Sequence, residues 1–206
     1  MIPNLLQNAF ASLNEKTEKT IFYWIFFTLI SAHAILIGAL RLYPCIDLPL
    51  HLASATIFRY IDEASNIFHE FFSVRPILGQ PNSIHILFCG LRLLPTVELA
   101  NKVFYCLYVV LLPLSAYHLI QTLKGNKWFT LLSFLYLYNH SVMWGFVDYM
   151  ISIPLVLFFL ASLYRFILRE ALIDYIVVPV LLLILFFAHT LTTFLCLGVF
   201  FCSLII

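Results

Sequence analysis

Five stretches of this sequence, at residues 20–40, 97–121, 128–144, 148–168 and 174–206, are almost wholly apolar, and nothing else in it constrains the fold as much. A helix crosses ~30 Å of hydrocarbon in about 20 residues, so runs of this length read as membrane spans. The last run holds 33 residues. As one helix it would reach about 50 Å at ~1.5 Å per residue, too long for a single comfortable crossing. It divides at "AHTLTT", residues 188–193, into spans at 174–189 and 191–206. The sequence therefore predicts an all-α, polytopic membrane helix bundle of six spans in one transmembrane domain. Composition agrees: the chain is 63% apolar and 10% charged, with a mean hydropathy of +1.01. A soluble domain is roughly half apolar and about a quarter charged.

Residues 1–19 carry Glu15, Lys16, Glu18 and Lys19 just before the first run, unlike the short basic lead of a cleaved signal peptide. They are expected to form a cytoplasmic, amphipathic N-terminus, with 2–13 lying on the membrane surface and 20–40 as a retained first span. Lys16 and Lys19, Lys124 and Lys127, and Arg165 and Arg169 fall in alternate connections, whereas 140–147 and 188–193 contain neither residue type. Positive residues favour the cytoplasmic side, so the N-terminus is expected there and the long segment 41–95 on the outward side. The localisation implied is a multi-pass protein of a bacterial plasma membrane or an ER-type membrane. A net charge of +1 with no basic stripe gives no case for nucleic acid. The five scattered cysteines read as small packing residues. Because the sequence stops inside an apolar run at "CSLII", the chain is expected to be incomplete at its C-terminus.

Charge is scarce, yet "PCIDLPLHLASATIFRYIDE", residues 44–63, gathers Asp47, His51, Arg59, Asp62 and Glu63. On a helical wheel Leu50, Ala53, Ile57, Tyr60 and Ile61 share one arc and the polar residues the other, the pattern of an interfacial helix. Asp47 has a plain reading as an N-cap before Leu48-Pro49. It also lies four residues before His51, on the same helical face. An acid and an imidazole paired at a membrane rim can accept a proton, bind a metal or orient a hydroxyl. A second apolar piece, "PNSIHILFCGLRLLP" at 81–95, is bounded by prolines and too short to span, so it reads as interfacial or partly buried.

The order "YPCIDLPLHLA" after a first span, then "RPILGQPNSIHIL", then "VELANKVFYCLYVVLL" entering the second span, resembles the N-terminal half of GT-C glycosyltransferases. That resemblance implies transfer of a sugar from a polyprenyl-phosphate donor to an acceptor hydroxyl on the outward face, with inversion. It implies that Asp47 acts as base with His51 beside it. The leaving lipid phosphate needs a cation, for which Arg59 is named ahead of Arg41 and Arg75. It further implies a second acid from the loop between the third and fourth spans. Asp148, after "NHSVMWGFV", fits that place, with a divalent metal between Asp47 and Asp148 left open. The chain is shorter than complete family members and has one early acid followed by a histidine where others show paired acids.

Asp148 also reads as an N-cap of the fourth span. His189, in "FFAHTLTT", is a titratable ring at an outward break: a lipid-phosphate contact or an ordinary interhelical histidine. His85 and Cys89 share a helical face, but two ligands fall short of a zinc site. His33 and His118 lie inside spans without nameable partners. No P-loop, G-x-G-x-x-G, H-E-x-x-H or G-x-S-x-G is present. Membrane lipid and the polyprenyl-phosphate sugar are the expected partners, with partner membrane subunits left open. The rival classes are a non-catalytic multi-span subunit and a transporter-like bundle; the latter would place ionisable groups within the spans.

Overall fold

The structure, a computed structural model, describes residues 2–76, 79–169 and 172–204, and side chains within 14–76, 79–168 and 172–204. Among these residues there is no strand. The helices are α1 (Ile2–Ala39), α2 (Leu48–Tyr60), α3 (Phe68–Phe71), α4 (Ile84–Gly90), α5 (Val97–Thr122), α6 (His140–Trp144), α7 (Val147–Arg169), α8 (Asp174–Ala188) and α9 (Thr190–Ser203). A 3-10 helix, Lys127–Tyr136, lies between α5 and α6. Three helical stretches are long and apolar enough to cross a membrane: Asn14–Ala39 of α1, Val97–Thr122 and Val147–Leu168.

Two ends of the bundle organise everything else. At one, here the Lys127 end, Lys127 pairs with Glu18 of α1 and the Trp128 indole N–H donates to the same carboxylate at 2.8 Å. At the other, the Asp47 end, the Ile46 and Asp47 amides donate to the carbonyls of Met143 and Trp144. Residues 128–144 therefore run beside α1 from Glu18 to its Asp47 end. That run was expected as a short α-helical span, and the structure corrects its conformation. At roughly 2.0 Å per residue the nine steps of Lys127–Tyr136 carry the chain about 18 Å, against about 14 Å for an α-helix, and residues 137–139 and α6 complete the run.

The core joins α1, α5, the 3-10 helix and α7 through Phe22, Phe26, Tyr108, Leu112, Phe134 and Met150. α8 starts at the Lys127 end and α9 returns there: Phe200 of α9 packs on Phe166 of α7 and lines one pocket with Asp174 and Val178 of α8. The chain reverses at His189 alone. Arg165 of α7 binds both carboxylate oxygens of the buried Asp174 and also contacts His118 of α5, tying three helices at that end. Fork-shaped pairing of this kind fixes geometry as well as charge.

One further expectation changes. Residues 2–13 were read as a separate surface helix, but α1 runs unbroken from Ile2; the side chains of 2–13 lie outside the described set, as do residues 205–206 at the end of the last predicted span. In α2 the buried positions are Leu48, Ala55 and Arg59, while Leu50 is 70% exposed. The inward side of α2 thus mixes apolar residues with Arg59, Leu50 faces outward, and Asp62 of the polar arc is exposed.

Candidate functional site

Gly145 is where the Asp47 end is assembled. Its φ of +89° ends α6 in the left-handed region, which glycine adopts without strain. A Cβ there would come within 3.0 Å of the Asp47 amide nitrogen and 3.1 Å of the Cys45 Cβ. The start of α2 therefore docks directly on the turn before α7. Cys45 completes the joint, its thiol 3.0 Å from the Val142 carbonyl and 3.1 Å from the Tyr105 hydroxyl.

From this platform α7 presents Asp148 in its first turn. The residue is 6% exposed, and its Oδ1 accepts the backbone N–H of His85 at 2.9 Å. Asp148 is thus not an N-cap of α7; its carboxylate serves α4 instead. His85 itself is fully buried, with Nε2 2.9 Å from Oδ1 of Asn101 on α5. A carboxamide oxygen only accepts, so Nε2 carries the proton and Nδ1 is a bare acceptor without a partner. Burial pushes the His85 pKa down to about 4, against a partial lift from Asn101.

His51, one turn into α2, sets its ring 5.5 Å from that of His85, edge to face. Its Nδ1 is also buried and unpartnered. Burial lowers its pKa and the Asp47 carboxylate, one turn back, opposes the shift. His189, at the α8–α9 reversal, packs on the Tyr149 ring at 5.1 Å and pairs through Nδ1 with the Thr192 hydroxyl at 2.8 Å.

These groups line one cavity of about 540 Å³, formed by His51, Asp148, His189 and Tyr149 with Asn82, Ser141, Phe146 and Val147. Three predicted site residues from α2, α7 and the α8–α9 break thus meet, although they are far apart in sequence. Asp47 is beside them but not among them: it is half-exposed, holds the N-cap position without a side-chain cap bond, and does not line the cavity. Arg59 stands apart. It lies eight residues beyond His51 along α2, about 12 Å at ~1.5 Å per residue, and its Nη2 donates to the carbonyls of Leu94 and Pro95 at 2.8 Å each. Arg92 answers it by donating to the Arg59 carbonyl and to Glu63, so the two arginines clamp the 91–95 turn onto α2. Arg75 instead lines a second cavity of about 500 Å³, between α2 and residues 72–86, that shares Asn82 with the first.

Among the described residues no group of three or more His, Cys, Asp or Glu is placed to hold a metal, so Asp47 and Asp148 gain no third ligand. Sequence reasoning missed Asn101 and Asn82 and set His85 aside with Cys89, whose thiol does lie 3.5 Å from Nε2. A lone amide such as Asn101 in an apolar helix was the available signal. The arrangement joins a shielded carboxylate, two imidazoles and hydroxyl-bearing side chains around a volume that admits a sugar-sized ligand. No family model matches this chain, and no curated protein or solved structure matches it.

Proposed function

We propose that this chain is a six-crossing membrane glycosyltransferase of the GT-C kind, moving a sugar from a polyprenyl-phosphate donor to an acceptor hydroxyl at the Asp47 end, with inversion. The observation that carries the reading is the convergence of His51, Asp148 and His189 on one cavity. Asp148 takes the role of base in preference to Asp47. One of its oxygens is held by His85, and the other accepts the proton of the acceptor hydroxyl as that oxygen attacks the anomeric carbon. The bond from that carbon to the phosphate oxygen breaks, and the lipid phosphate leaves with the electron pair. His51 and His189 orient the sugar and acceptor hydroxyls. Arg75 is the better cation for the departing phosphate, because Arg59 is engaged with backbone carbonyls.

A transporter would place ionisable groups along a path between the two ends. The buried Arg165–Asp174 pair instead lies 17 residues from Asp148 along α7, about 26 Å away at ~1.5 Å per residue, where it joins helices. The test is sugar transfer in membranes containing the full chain, with radiolabelled polyprenyl-phosphate sugars as donors. Asp148→Asn keeps an acceptor for the His85 N–H, so it is expected to fold normally and to lose transfer on the order of 100-fold or more, the scale of general base catalysis. His51→Ala should also fall, and Asp47→Asn by much less. Wild-type rates in both Asp148→Asn and His51→Ala would leave the cavity as a docking surface of a non-catalytic subunit.

A further inference from the structure

The reversal between α8 and α9 lacks the usual helix breakers, its local bonds being those of His189 with Thr192 and Thr193. Residues 186–193 read "FFAHTLTT", with neither glycine nor proline, and a single residue, His189 at φ −159° and ψ 113°, separates two helices. Ending a helix leaves carbonyls unpaired on one side of the break and N–H groups unpaired on the other. Each such group costs free energy when neither protein nor water meets it. A continuous helix would satisfy them all, so protein groups that meet them from elsewhere in the chain favour the break.

Two consecutive residues from the first long loop do so. The Ser83 N–H donates to the Phe187 carbonyl at 2.8 Å, capping the end of α8. Oδ1 of Asn82 accepts the Thr190 N–H at 2.6 Å and the Thr190 hydroxyl at 2.9 Å, capping the start of α9. Asn82 does this from φ 56°, a left-handed conformation that asparagine tolerates better than most residues. The same asparagine lines both cavities. We infer that Asn82, seconded by Ser83, is the positioning residue for His189: it caps the helix break from another part of the chain and so holds the imidazole at the cavity wall. Only the assignment of His189 to substrate rests on the glycosyltransferase reading; the capping does not.

The experiment uses the full chain in lipid nanodiscs and reads amide hydrogen exchange at residues 186–189 and 191–193 together with the NMR signals of the His189 ring. Asn82→Gly keeps the left-handed backbone and removes the acceptor; Asn82→Asp keeps both. Asn82→Gly is expected to speed exchange at least tenfold and to move the His189 signals, with Asn82→Asp close to wild type. Thr190→Pro supplies the decisive background. It deletes the N–H that Asn82 satisfies, proline is accepted at the first helical position, and the preceding His189 already has the extended backbone that precedes proline. In that background Asn82→Gly should no longer speed exchange, and it relieves the contact between the proline ring and Asn82 Oδ1. If Asn82→Gly alone fails to fold, its recovery by Thr190→Pro supports the proposal, and failure to recover overturns it. Wild-type exchange in Asn82→Gly, an Asn82→Asp as unprotected as Asn82→Gly, or an undiminished effect beside Thr190→Pro would each overturn it. Because these readouts need no sugar donor, the capping and the transfer chemistry can fail separately.

Discussion

His85 shows what one buried ring does to the molecule. It titrates near 6.5 when unfolded and at about 4 when folded, because burial disfavours the imidazolium more than Asn101 favours it. Between those values the unfolded chain binds the extra proton. Stability is therefore fully present above pH 6.5 and is lost as pH falls toward 4, by on the order of 3 kcal/mol for the whole shift. Lowered in the same direction, His51 adds to the slope. Thermal melts of the full chain from pH 7 to 4.5 should show this decline, and His85→Gln should flatten part of it; an unchanged slope in His85→Gln would show that the ring is not the titrating group. Sequence pattern made His51, Asp148 and His189 visible because each is a polar residue stranded at the edge of an apolar run. It hid His85, whose only neighbour at helical spacing is Cys89, whereas its bonding partners lie 16 and 63 residues away. Spacing puts the Asp47 carboxylate near His51 but says nothing about which of the two faces the cavity, which His51 lines.

At the scale of elements, the Asp47 end depends on one turn. Gly145→Ala would place a side chain at φ +89° and drive its Cβ against the Asp47 amide and the Cys45 Cβ. The left-handed conformation alone costs about 1–2 kcal/mol. The expected result is a loss of about 2 kcal/mol or more in stability, with faster amide exchange at Ile46 and Asp47 as their bonds to Met143 and Trp144 loosen. A Gly145→Ala chain with wild-type melting and exchange would mean the joint is soft. The turn was readable in "WGF" as a place for the chain to bend, and α1, α5 and α7 were readable as runs, because a 20-residue apolar stretch admits few conformations. The 3-10 winding of Lys127–Tyr136 was not. Local propensity does not separate a 3-10 from an α path in an apolar run of ten residues. For α2 a wheel separates two arcs but does not say which residues turn inward: His51 reaches His85 and Arg59 reaches the 94–95 carbonyls, while Asp62 stays exposed.

Over the whole molecule the two ends differ in how they use charge. The Lys127 end gathers Lys16, Lys19, Lys124, Lys127 and Arg165, with only part of that charge answered by Glu15, Glu18 and Asp174. The Asp47 end holds Arg41, Arg59, Arg75, Arg92 and Lys102, but Arg59, Arg92 and Lys102 donate to backbone carbonyls or Glu63, and the four arginines sit in a long connection whose charge is a weaker topological signal. Short basic connections favour the cytoplasmic side, so the charge pattern predicts the Lys127 end there and the cavity on the outer side. The roughly 26 Å between the Asp148 and Arg165 levels of α7 agrees with a hydrocarbon layer of ~30 Å lying between them. Ser65, exposed after α2, and Gln121, exposed in the last turn of α5, mark the two sides. With exposed Cys202 changed to serine, Ser65→Cys should react with a membrane-impermeant maleimide in intact cells, and Gln121→Cys only after permeabilisation. The reverse pattern would put the carboxylate and imidazoles on the cytoplasmic face, out of reach of an exoplasmic lipid-linked donor. Labelling of both sites in intact cells would mean that no layer of lipid separates the two ends, and the six-crossing arrangement would go with it.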